Sequence, residues 1–151
     1  MSKTSIGFVL SSLIYLAIGV ITGVVMGFSD SFRAVFLTAH AHINVVGWIS
    51  FLIYGVAYHI LPRFIGRPLH SERLACAQLW LGNISLIGMA IFWTMYRYSS
   101  GQPAYLHVFA TFGALQALSA IFFVHNMVRT ILPIPPTPAA PPKPQPRAAQ
   151  S

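Results

Sequence analysis

Low charge, four long apolar runs and a lack of strand periodicity predict an all-α membrane protein, a bundle of four transmembrane helices. Of 151 residues, 56% are hydrophobic and only 7% are charged, against roughly 25% charged in an ordinary soluble domain. So few charges cannot cover a soluble surface. Apolar runs at about residues 6–28, 35–61, 74–96 and 104–132 each reach the roughly 20 residues that a helix needs to cross a bilayer core. None alternates with period two, and all are too long for barrel strands. Backbone groups in lipid must be satisfied within the segment, so the runs are read as helices.

The first run is too long for the apolar part of a secretory signal, only Lys3 precedes it, and no clear small-x-small site follows, so it is read as a retained span. Pro62 is expected to stop the second helix, and Ser71 to cap the third. Short connections make neighbouring helices antiparallel, which gives an up-down bundle over residues 1–132. From Pro133 the chain runs PIPPTPAAPPKPQPRAAQS, a Pro-rich tail over 133–151 that cannot be helical and is expected to be a disordered spacer. Cys76 is the single cysteine, which excludes an internal disulfide and a cysteine-based zinc site.

The net charge of +7 does not indicate nucleic acid, because no basic face interleaved with aromatics exists. Instead it reports topology. Lys3, Arg63, Arg67, Arg73, Arg129, Lys143 and Arg147 fall on one side of the membrane, and Arg33 and Arg97 on the other. The bias predicts that both termini and the middle loop are cytoplasmic. Trp80, Trp93, Tyr96, Tyr98 and Tyr105 supply interfacial anchors.

Six histidines in a chain with two carboxylates point to chemistry, since ionisable groups in hydrocarbon are costly and histidine is a standard axial ligand of haem. His40 and His42, on the second helix, lie about 200° apart around the axis and cannot serve one site from one face. His40 shares its face with Asn44, Gly47, Tyr54 and Tyr58, a polar and small-residue stripe suited to a bundle interior. His42 shares its face with Ile49, Ile53, Val56 and Ile60, a costly place for an imidazole unless a flat apolar macrocycle covers it. His107, near the outer end of the fourth span, is expected at the depth of His40 and His42, with Thr111 one turn on. Matched histidines on two antiparallel helices suit bis-histidine haem; an interfacial histidine after Pro103 is an equal alternative. His59 and His125 lie near the inner surface, where headgroup contact explains both more cheaply than a second haem. His70 falls in the loop and is expected to be exposed.

The segment His40-Ala-His42-Ile-Asn-Val-Val-Gly47-Trp48, continuing through Tyr54-Gly55, Tyr58 and Leu61-Pro62-Arg63, resembles the tenth helix of the catalytic subunit of haem-copper oxidases, especially C-type cytochrome oxidases and nitric oxide reductases. The resemblance implies that His40 matches the ligand of the high-spin haem and His42 that of the low-spin haem. It also implies haem b as the cofactor. This chain departs from the family in having four spans, no adjacent His-His pair and no sixth-helix histidine-tyrosine segment, so no copper is expected and a complete oxidase is excluded. The family's subunit consists of three four-helix arcs around a pseudo-threefold axis, and this chain looks like one arc. A homo-oligomer, with a trimer first, is therefore expected, with haem held one per protomer or shared between protomers.

These readings lead to a small haem protein in the cytoplasmic membrane of a prokaryote, for electron transfer or binding of oxygen or nitric oxide; if it is an enzyme, it is an oxidoreductase. Asn44, Tyr54, Tyr58 and Thr111 are weak candidates to hydrogen-bond the ligands, and Arg33 and Arg97 to pair with propionates. The expected partners are the lipid bilayer, further copies of the chain and a respiratory-chain subunit or electron donor. A non-enzymatic accessory, sensor or assembly subunit is the first alternative. A small transporter lined by His40, His107 and Gln116 is the second, disfavoured because one path would need His40 and His42 on one face.

Overall fold

The computed structural model describes residues 1–132, which form four membrane-length helices and no strand. The tail predicted for 133–151 lies outside the described residues. The first helix, Lys3–Phe28, begins where the Ser2 hydroxyl accepts from the Ser5 amide at 3.2 Å. Ser29 alone separates it from the second, Asp30–Ile65, and caps that helix by accepting from the Phe32 amide. The cap brings the polar turn Asp30–Arg33 into the helix, so it starts ahead of its apolar run. The third helix, Glu72–Tyr98, starts at Ser71, whose hydroxyl accepts from the Leu74 amide at 3.1 Å, as expected. The fourth, Pro103–Ile131, carries its proline in the first turn, where the missing N–H costs nothing.

Pro62 does not stop the second helix. The helix runs on to Ile65, and Gly66, at φ 69°, ends it. The Gly66 amide donates to the Arg63 carbonyl and the Arg67 amide to the Pro62 carbonyl, the paired bonds of a Schellman cap. A proline removes one bond to the residue four before it, and the last turn tolerates that loss; the left-handed glycine is the true terminator.

Residues Ile43–Ser50 of the second helix are π-helical. The Phe51 amide reaches the Val46 carbonyl five residues back, and the Ser50 hydroxyl donates to the Val45 carbonyl at 2.8 Å. The wider turn moves the phase of everything above it. Ile60, Val56, Ile53, Ile49 and Val45 form one exposed stripe, and that stripe arrives at Ala41. A uniform α-helix would have brought it to His42.

The first helix packs along the second, the third against the first and the Asp30–Ser50 part of the second, and the fourth mainly against the third. Phe8, Tyr15, Phe51, Tyr58, Leu86 and Met127 form the core. Lipid gives apolar residues little reason to leave it, so close approach and polar bonds hold such bundles. Gly47 lets the second helix close on the first: a Cβ there would lie 2.6 Å from Tyr15 Cγ. The Tyr15 hydroxyl donates to Asn83 Oδ1 at 2.9 Å, the Ser85 hydroxyl to Gln116 Oε1 at 2.5 Å, and the Tyr58 hydroxyl to Gln78 Oε1. Asn126 grips Ser71 twice, accepting from its amide at 3.0 Å and donating to its carbonyl at 2.8 Å. One end of the bundle carries Lys3, the 66–71 loop and Ile131, and is the basic end; Ser29 and the 99–102 loop lie at the other.

Candidate functional site

The two histidines of the second helix have different surroundings. His40 is half-buried against the first helix. Its Nδ1 lies 3.1 Å from the Thr22 hydroxyl, and the Asn44 amide nitrogen lies 3.3 Å from Nδ1 and 3.4 Å from Nε2. Gly23 leaves room for the ring, since a Cβ there would sit 3.1 Å from His40 Cε1. Asn44 is thus bound to His40, also donating to its carbonyl at 2.9 Å. Nδ1 of His40 is engaged by Thr22, and Asn44 lies against the ring face.

His42 has a different arrangement. Its Nδ1 lies 2.8 Å from the Thr38 carbonyl. A carbonyl only accepts, so Nδ1 carries the proton and Nε2 keeps its lone pair. That tautomer is the one a metal-bound histidine takes when its other nitrogen bonds a carbonyl. The ring stands edge-on to Phe109, with centroids 6.1 Å apart, and Phe109 packs on Trp93 at 5.3 Å. Trp93 is fixed by donating from Nε1 to the Val35 carbonyl at 3.2 Å. Ala41, His42, Val45 and Val46 line an open groove of about 270 Å³. The π-helical segment sets His42 at the edge of the exposed stripe, half-buried and turned toward the fourth helix.

His107 is exposed, and the Thr111 hydroxyl donates to its carbonyl at 3.0 Å. Phe109 meets His42, which gives His107 the depth expected of it. But two residues along a helix is about 200° around it, so His107 points away from His42. One chain does not bring these two candidates together.

The weaker candidates serve other contacts. Tyr54 packs between Phe8 and Phe123, with centroids 5.8 and 4.4 Å away. Tyr58 is buried in the core on Gln78. Arg33 is exposed and pairs with Asp30 one turn away, while Arg97 is exposed in the last turn of the third helix. His59 Nε2 accepts from Arg63 at 2.5 Å, and the exposed rings of His70 and His125 stand 6.0 Å apart. Among the described residues no three His, Cys, Asp or Glu side chains gather; a haem iron needs only one or two protein ligands.

Thr38, Phe109 and Trp93 hold His42; the first two were not singled out from the sequence, and Trp93 was read only as an interfacial anchor. Every helical histidine has a carbonyl four residues behind it, so Thr38 has no signature. The depth argument made for His107 applied equally to Phe109, two positions on.

The haem reading passes half of a fit test. One imidazole is in the right tautomer beside an apolar stripe. The groove, however, is smaller than the roughly 300–1,000 Å³ of sites that enclose a cofactor, so it does not enclose a macrocycle by itself.

No family model matches the chain. Over 49 residues it is 33% identical to the Cbb3-type cytochrome c oxidase subunit CcoN1 of Stutzerimonas stutzeri, a stretch covering 32% of this chain and 10% of that subunit. The chain therefore matches about a tenth of that relative's length, and the likeness is a distant link to the haem-copper oxidases.

Proposed function

We propose that the protein is a small membrane haem b protein, distantly related to the haem-copper oxidases, that holds iron through His42 and serves electron transfer or the binding of oxygen or nitric oxide. The observation that carries this reading is the His42 ring, whose Nδ1–H is committed to Thr38 and whose Nε2 is left as a bare donor atom in an apolar setting. Leaving that atom against acyl chains costs free energy, and ligation removes the cost. Haem supplies the redox or gas-binding chemistry. The chain's share is to fix the imidazole: Thr38 sets its tautomer, and Phe109, backed by Trp93, keeps the ring from turning. His40 is the weaker ligand, because Thr22 and Asn44 already engage its ring.

The second wall of the site, and the second ligand if there is one, come from another copy. His42 and His107 lie on different faces, so pairing them across an interface joins unlike surfaces. Where the two faces form separate patches the contact is heterologous and a trimer is the smallest ring that it closes; where one patch carries both, a two-fold dimer pairs them twice. Arg33 and Arg97 are at the same end as His42 and remain the cations available to propionates. The basic end is assigned to the cytoplasm by the positive-inside bias, and a respiratory-chain electron carrier is the expected partner.

The protein purified in mild detergent is expected to show a Soret band, and pyridine haemochrome analysis is expected to identify haem b. His42→Ala abolishes or converts the spectrum and His70→Ala leaves it unchanged. Carbon monoxide binding by the reduced form marks an open coordination position; its absence marks two histidine ligands. Protein that stays colourless after haem supplementation overturns the reading in favour of a non-enzymatic accessory subunit.

A further inference from the structure

The inner part of the exposed stripe carries a second feature, unrelated to His42. His59, Ile60, Arg63 and Phe64 line an open groove of about 570 Å³ at the basic end. It continues through Ile60 onto a shallow apolar face of the same helix, about 410 Å³ of open space lined by Leu52, Ile53, Val56, Ala57, Ile60 and Leu61. From Leu52 to Leu61 the helix rises about 14 Å, close to half of the roughly 30 Å hydrocarbon core. The paired grooves thus have a cationic head and an apolar stem one leaflet deep.

Charge decides what fits the head. Arg63 bonds only to neutral His59 Nε2, and the one ion pair among the described residues is Arg33–Asp30 at the opposite end. Among the described residues the basic end holds Lys3, Arg63, Arg67, Arg73 and Arg129 against one carboxylate, Glu72. The repulsion of an anion by the helix C-terminus is reduced there, because the Pro62 and Arg63 carbonyls are capped by the amides of Arg67 and Gly66. Phe64 is 84% exposed beside the guanidinium, as an interfacial aromatic anchor would be.

We infer that this double groove is a binding site for an anionic phospholipid, with the phosphate on Arg63 beside His59 and an acyl chain along Ile53, Val56 and Ile60. A zwitterionic lipid brings its own ammonium and leaves the surplus cations uncompensated. Polybasic surfaces at the cytoplasmic leaflet select anionic lipid for the same reason.

The test is native mass spectrometry of the full chain released from vesicles of phosphatidylcholine mixed with phosphatidylglycerol, on protein without added haem, so that the result is independent of His42. Phosphatidylglycerol is retained over phosphatidylcholine, and Arg63→Gln lowers its retention about fivefold, while Arg63→Lys keeps most of it. Val56→Trp, which fills the stem, lowers retention of both lipids. Helical circular dichroism and elution volume check that each variant is folded. Equal loss in Arg73→Gln would mean diffuse surface charge, and displacement by excess inorganic phosphate would mean that the acyl stem adds nothing; either result overturns the site, as does full retention in Arg63→Gln.

Discussion

The tautomer of His42 rests on a single bond, from Nδ1–H to the Thr38 carbonyl at 2.8 Å, and its orientation on one aromatic edge, Phe109. Partners that orient a metal ligand typically account for 10–100-fold in metal affinity. Phe109→Ala is therefore expected to weaken haem retention by about tenfold, read by haem transfer to an apo-acceptor protein, with the helical spectrum unchanged. Unaltered retention would show that the ring needs no support from the fourth helix. A different side chain governs stability. Asn126 is fully buried and makes both bonds to Ser71, so Asn126→Ala strands the Ser71 amide, while the Ser71 carbonyl keeps its bond from the Ala75 amide. Stranding buried groups costs roughly 1–3 kcal/mol, and detergent-denaturation midpoints should fall accordingly, without change to a haem spectrum set at the far end of the bundle.

The second helix shows how far a sequence can be read and where reading stops. Apolar length located all four helices, and the Ser71 hydroxyl was legible as a cap, because hydropathy and capping are local properties. Gly66 was not read as the terminator; Pro62 was expected to stop the helix instead. The π-helical turn at Ile43–Ser50 was not legible. Its residues suit an α-helix equally well, and it arises from packing, where Gly47 lies against Tyr15 and Leu86. That turn is why an α-helical wheel put His42 on the centre of the exposed stripe when it lies at the edge, against Phe109. His40 was legible as interior because its polar and glycine neighbours repeat along one face; its Thr22 partner lies on another helix and has no sequence signal. Gly47→Ala is expected to destabilise the bundle by about 1–3 kcal/mol, as overpacking does. It is also expected to disturb the spectrum of bound haem, because the first helix must move away from the turn that aims His42. A loss of stability with an unchanged spectrum would separate that turn from the site.

At the scale of the whole molecule, two of the ligand candidates are open to the outside, His42 beside a shallow groove and His107 on the far side of the fourth helix. Neither face alone encloses a macrocycle. If His42 of one copy meets His107 of the next, the neighbours Ala41 and Ala110, both exposed, face each other across the contact. Cysteines at these two positions, in a background where exposed Cys76 is replaced by serine, are expected to cross-link copies on mild oxidation. Where the contact is heterologous, each chain donates one cysteine to each neighbour, and the ladder on a denaturing gel should end at the closed ring, three chains for a trimer. Singly substituted Ala41→Cys should give little product, since like faces do not meet. A ladder that stops at two, or dimers as abundant from Ala41→Cys alone, would point to a two-fold contact. Dimers from Ala41→Cys alone would set His42 facing its own symmetry mate, with the second iron ligand sought on the second helix; a ladder that ends at two only for the double variant would keep the His42–His107 pairing, in a two-fold dimer.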